Sequence, residues 1–156
     1  MALQFGTSTA LTITAGSLAS ATARSSAAVT VGTTQNTFNI NLTVNVLTTA
    51  TAATGNKQIL IYAYASEDGT NYSGNSSTAD DVDGTDKSMT VGVPTNLKFV
   101  GSIQLNQGAV AVTAHGEFEL TQVIGLPAKW GIVLYNDSGV ALGATVSASY
   151  REVYYS

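Results

Sequence analysis

Few residues in this chain could do chemistry. His115 is the single histidine, and it lies in Val112-Thr113-Ala114-His115-Gly116-Glu117-Phe118-Glu119, a run that alternates as a strand does. Residues two apart on a strand share a face, so Glu117 stands beside His115. Hydrolysis by such a pair also needs a nucleophile within reach of the imidazole, and the chain has no Gly-x-Ser-x-Gly turn to present one. Glu117 and Glu119 form a second pair, roughly 7 Å apart along the strand. That spacing alone permits two-carboxylate glycoside hydrolysis, but nothing else in the sequence asks for it. The expectation is that the protein is not an enzyme.

Asp80, Asp81, Asp83 and Asp86 suggest a calcium loop, because hard cations take several carboxylates on a bendable segment. The spacing fails. Counted from Asp81, the sixth position holds Asp86 instead of glycine, and the twelfth holds Gly92 instead of glutamate. The cluster reads as a solvated acidic loop. With no cysteine in the chain, a disulfide framework, a thiolate zinc site and a cysteine nucleophile are all excluded. No cofactor and no metal are expected.

The remaining candidates are aromatic: Tyr62, Tyr64, Tyr72, Trp130, Tyr135, Tyr150, Tyr154 and Tyr155. Exposed aromatics can stack on sugars or anchor an interface. Trp130, within Trp-Gly-Ile-Val-Leu, reads as core. Tyr154 and Tyr155 read as a subunit contact.

The elements that position these residues are strands. In residues 38–46 every second residue is apolar and those between are Asn or Thr, which sets one face on a core and the other in solvent or on a partner. Residues 57–65 place Ile59 and Ile61 on one face and Leu60, Tyr62 and Tyr64 on the other, so both faces need cover. Further strands are expected at 97–105, 109–124, 130–136 and 144–155, with weaker ones at 11–14, 27–31 and 89–93, about eight or nine in all. Residues 66–88 hold six of the ten acids and read as a long loop facing solvent. No helical stripe is present. The fold class is therefore all-β: a single, jelly-roll-like β-sandwich with an irregular N-terminal arm. Residues 1–28 are expected to form the arm and first short strand, and 29–156 the sandwich domain.

Composition narrows the function. Only 10% of residues are charged, against roughly a quarter in ordinary soluble domains, so the surface is rich in hydroxyls and amides that are cheap to desolvate against a partner. The formal net charge of −4 and six scattered basic residues offer no stripe for phosphates, and nucleic acid is rejected as a partner. The first 20 residues lack the charge and apolar core of a secretory signal, and no apolar run is long enough to span a bilayer, so no membrane partner is expected.

Several phrases carry a resemblance. Ile61-Tyr62-Ala63-Tyr64-Ala65-Ser66-Glu67-Asp68-Gly69-Thr70-Asn71-Tyr72, the earlier Leu18-Ala19-Ser20 with Arg24-Ser25-Ser26-Ala27-Ala28-Val29, and Leu126-Pro127-Ala128-Lys129-Trp130-Gly131-Ile132-Val133 with Asn136-Asp137-Ser138-Gly139 resemble small virion proteins of tailed bacteriophages. Among these the chain looks most like the capsid decoration, or cement, proteins. That resemblance implies a β-sandwich or jelly-roll subunit, made in the host cytoplasm, that clamps neighbouring copies of the major capsid protein on the shell exterior, with no catalytic residues. Ser66-x-Asp68-Gly69-x-x-Tyr72 also resembles a turn of discoidin-like jelly rolls, which carry Trp where this chain has Tyr72.

The expected partners are the major capsid protein and the chain itself, as a homotrimer ahead of a dimer. The expected interface is Phe5, Leu11, Ile13, Arg24, Tyr154 and Tyr155, on the argument that an arm of this composition cannot bury its own apolar residues. The alternative function is a phage tail, fibre or carbohydrate-binding receptor module.

Overall fold

The computed structural model describes residues 2–32, 36–54, 56–73, 82–89, 97–105 and 111–156. In chain order the elements are β1 (Leu3–Phe5), β2 (Thr9–Leu11), β3 (Ala23–Ser25), β4 (Val29–Thr30), β5 (Asn36–Thr48), β6 (Gln58–Ser66), β7 (Lys87–Met89), β8 (Lys98–Gln104), β9 (Thr113–Glu119), α1 (Thr121–Ile124), β10 (Lys129–Asp137) and β11 (Leu142–Tyr155). They build two antiparallel sheets. In the first, β1 and β2 lie end to end along one edge of β11, whose other edge pairs with β5, and β5 pairs with β9. The second runs β7-β3-β10-β6-β8, with β4 also on β10. The all-β sandwich expected from the alternation is the architecture observed.

The main core lies between the sheets. Ile40, Leu42, Val44 and Val46, the apolar alternates of β5, pack with Ile59 and Ile61 of β6 and with Trp130, Ile132 and Leu134 of β10. Fully burying each such side chain contributes roughly 1.5–3 kcal/mol. Trp130 is fully buried, edge-on to Tyr150 at 5.2 Å, and its indole N–H has no hydrogen-bond partner among the described residues.

A second apolar cluster covers the outside of the second sheet, where Tyr62, Tyr64, Val133 and Tyr135 meet Val82 and Met89, with Tyr72 packed against them. This corrects the reading of residues 66–88 as a solvent loop. Its described parts fold back over the sheet, and they answer the need for cover on both faces of β6 within one chain. Asp68 holds the turn by accepting bonds from the Thr70 and Asn71 backbone N–H groups and the Ser66 hydroxyl. Burial raises the pKa of the Tyr64 phenol well above its usual value, and the phenol donates to the Ser26 carbonyl at 2.6 Å. Its ring lies over Gly131, where a Cβ would fall 2.3 Å from the ring, so only glycine fits at that point in β10.

The N-terminal residues also depart from expectation. Leu11 and Ile13 are 4% and 9% exposed and join Ala15 and Leu18 in the main core. The reason is pairing: β2 lies on Ala148–Tyr150 of β11, which carries the alternating Leu11-x-Ile13-x-Ala15 between the sheets. Asn136, itself fully buried, fixes the following stretch. Its amide donates to the Leu18 and Val140 carbonyls, and its side-chain oxygen accepts from Ser138.

The strand expected at 109–124 is shorter. It ends at Glu119, and Thr121–Ile124 form one helical turn closed by Gly125 at φ 70°. Leu120, Val123 and Ile124 have helical spacing, and the turn directs Leu120 and Ile124 into the core. Of the weaker strand expected at 89–93, only Met89 lies in a described strand, β7 over Lys87–Met89, and residues 90–93 fall outside the described residues.

Candidate functional site

The outer face of the first sheet is built from polar alternates. β5 is flanked by β9 in the register Asn41↔Glu119, Thr43↔Glu117, Asn45↔His115. On its other side it faces β11 as Arg151↔Asn41, Ser149↔Thr43, Ser147↔Asn45. Because opposed residues on paired strands share a face, these side chains form a ladder three strands wide. Asn39 donates to the Glu119 carboxylate at 2.6 Å and to the Asn41 oxygen at 3.2 Å. The His115 ring places Nδ1 2.7 Å from the Asn45 oxygen and Nε2 3.3 Å from Glu117. His115 and Glu117 are both exposed, and no hydroxyl nucleophile takes part in these contacts.

Across the middle of this face runs a groove of about 430 Å³, lined among others by Ser8, Asn41, Thr43, Glu117, Glu119 and Arg151, with Phe5 on its wall. Arg151 makes no ion pair among the described residues, so its guanidinium is available to a ligand or partner. The groove combines carboxylate acceptors, amide and hydroxyl groups, a fork of arginine donors and one aromatic ring. Such a set has the chemistry to hydrogen-bond a polar group.

Beside the groove the surface turns apolar. Leu3 and Phe5 of β1 are 49% and 59% exposed, and Tyr155, 42% exposed, stacks on Phe38 with ring centroids 4.8 Å apart. Of the expected interface residues, Phe5 and Tyr155 are therefore together on the surface. Tyr154 is half-buried and lines a separate hollow with Tyr150 and Glu152, beside the turn that joins β1 to β2. Leu11 and Ile13 are core residues and are withdrawn from the interface. Arg24 is half-buried, and its Nε–H donates to Asp86 at 2.6 Å, just ahead of β7, the strand paired with β3.

Asp86 is a structural acid. Burial raises its pKa, but bonds from the Arg24 guanidinium and the Thr14 hydroxyl outweigh burial and leave it below the usual value. The Thr85 hydroxyl, with Lys87, lowers Asp83 to about 2. Asp80 and Asp81 lie outside the described residues. Among the described residues no group of three or more His, Asp or Glu side chains could hold a metal ion. No described helix is long and apolar enough to cross a membrane.

Comparison with protein-family models, curated proteins and solved structures gives no match. The site must therefore be read from its own residues. The polar alternates of β5 were legible as a face for solvent or a partner. Arg151 was not, because nothing local marks it as the neighbour of Asn41.

Proposed function

We propose that the chain is a non-catalytic structural virion protein of jelly-roll strand order, a decoration or cement protein that binds the exterior of a bacteriophage capsid and stabilises the lattice. One observation carries the reading: the sandwich is asymmetric. The outer face of the second sheet is covered by a strap of the chain's own residues, described over 66–73 and 82–89, while no described segment covers the outer face of the first. The bare face carries Asn, Thr and Ser along β5 and β11, with Glu117, Glu119, His115 and Arg151 at the flanking positions, and is bordered by Leu3, Phe5, Phe38 and Tyr155. Neutral amides and hydroxyls lose little on desolvation when a partner returns their hydrogen bonds, and the apolar border supplies affinity. The expected partners are the major capsid protein and further copies of the chain. Binding only the assembled shell stabilises it by mass action over many sites.

The test is electron microscopy of the parent phage with gold-labelled antibody to this chain, together with binding of purified protein to undecorated shells. Label distributed over the head is expected. Thr43→Arg, in the middle of the bare face, should cut shell occupancy at least tenfold without shifting the melting temperature. Label confined to tails would replace this reading with the tail or fibre one.

The groove favours a second reading, a carbohydrate-binding module, since sugars use just such donors and acceptors beside an aromatic ring. A glycan-array signal abolished by Arg151→Ala and by Glu119→Gln would establish it.

A further inference from the structure

β1 is an edge strand whose hydrogen bonds can be assigned group by group. Ala2 and Ser156 exchange both backbone bonds, at 2.9 and 3.1 Å, and the Gly6 N–H donates to the Glu152 carbonyl at 2.8 Å. Between them Leu3 faces Tyr155, Gln4 faces Tyr154 and Phe5 faces Val153. Antiparallel pairs alternate between bonded and non-bonded. Residues 2, 4 and 6 therefore turn their N–H and C=O groups toward β11, and Leu3 and Phe5 turn theirs away. Among the described residues nothing meets those four outward groups. Natural edges usually refuse such pairing with a charge, a proline or a bulge. Leu3-Gln4-Phe5 has none of these, and it presents two exposed apolar side chains next to the stacked Tyr155 and Phe38.

From this geometry we infer that the occupant of the edge is a second copy of the chain, paired antiparallel about a two-fold axis through Gln4. The edge is its own complement. In that register Leu3 exchanges both backbone bonds with Phe5 of the partner subunit, and Phe5 does the same with the partner's Leu3, which makes four bonds. Each exposed leucine then lies beside an exposed phenylalanine on the same face, and Tyr155 and Phe38 extend the apolar strip on both sides. The strand is neutral, so joining two chains of net charge −4 brings no like charges together at the contact. The two five-stranded sheets become one continuous sheet. A two-fold contact of this kind closes on itself, which selects the dimer over the trimer. The inference concerns the chain alone in solution and stands apart from the capsid reading.

Sedimentation velocity on the full chain should show a monomer–dimer equilibrium and no trimer. Leu3→Pro removes only an outward N–H, and proline is tolerated on a free edge. Phe5→Lys keeps the backbone but charges the strip. Each should weaken dimerisation at least tenfold while leaving unchanged the melting temperature measured at concentrations where the chain is monomeric. Gln4→Cys gives an independent readout, because the chain has no cysteine of its own. The axis makes residue 4 face its copy as a non-bonded pair, with Cα atoms roughly 4.5 Å apart, within disulfide range. This variant should oxidise to a covalent dimer far faster than Ala141→Cys, an exposed control at the other end of β11. A chain that stays monomeric at high concentration, a dimer indifferent to both edge variants, or Gln4→Cys oxidising no faster than the control would overturn the inference.

Discussion

At the scale of single residues, stability rests on a few polar and steric details. Asp86 ties the strap to β3 through Arg24 and to the N-terminal stretch through Thr14. Its pKa is lowered on folding from an ordinary value of 3.8. A group depressed in this way stabilises the fold above its unfolded pKa, and that contribution is lost as pH falls through the folded one. Asp83, held near 2, acts in the same direction. The melting temperature should therefore be flat from neutrality to about pH 4 and fall below that. Asp86→Asn should cost about 1.5–3 kcal/mol at neutral pH and show a shallower acid limb, both read from thermal melts across pH. A variant with an unchanged acid limb would remove Asp86 from the account. Gly131 tests the second core in the same way. A methyl group there meets the Tyr64 ring, which the Ser26 carbonyl and the Tyr72 edge, at 5.5 Å, hold in place. Gly131→Ala should destabilise the protein by about 1–3 kcal/mol in urea unfolding.

At the scale of elements, the N-terminal strands belong to the fold. Leu11 fills the main core, and Leu11→Ala should cost about 2–5 kcal/mol. Deleting residues 2–10 should lower the melting temperature by several degrees, because it removes β1 and most of β2 and bares the edge of β11. An unchanged melting temperature would return these residues to the role of a free arm. This was the least legible part of the sequence, for a physical reason. A three-residue edge strand owes its existence to a partner far along the chain, and no local pattern encodes that partner. β5 could be read because its two faces meet different surroundings, core and exterior, and its residues alternate accordingly. β6 and β10 could be read as buried runs, though not what buries them, since Val82 is an isolated apolar residue among acids and glycine and nothing local places Met89 opposite Ala23. At α1 the period of two hid the helical spacing of Leu120, Val123 and Ile124. The same division holds at the surface. Phe5 and Tyr155 were legible as uncovered aromatics, whereas Leu11 and Ile13 look equally apolar in sequence and are separated from them only by the course of the backbone after β2.

At the scale of the whole molecule, chain order and sheet order are far apart. β11 follows every other described strand along the chain, yet it sits between β1 and β2 on one edge and β5 on the other, so the first sheet lacks a middle until residues 142–155 are in place. The second sheet has the same character, with Ser25 facing Val133 and Ala23 facing Met89. Closing such long loops costs entropy before the contacts that reward it can form, and proteins dominated by non-local pairing fold on the order of milliseconds to seconds. Two consequences can be measured. A chain lacking residues 142–156 should have no cooperative thermal transition, since its β5 would keep β9 but lose the other half of its ladder. The intact chain should refold on the millisecond-to-second scale, followed by stopped-flow fluorescence of Trp130, the single tryptophan, which is fully buried in the main core. Microsecond refolding, or a truncated chain that still melts cooperatively, would mean that the second sheet and its strap form an autonomous unit and that the bare sheet is added to it, which reverses the dependence argued here.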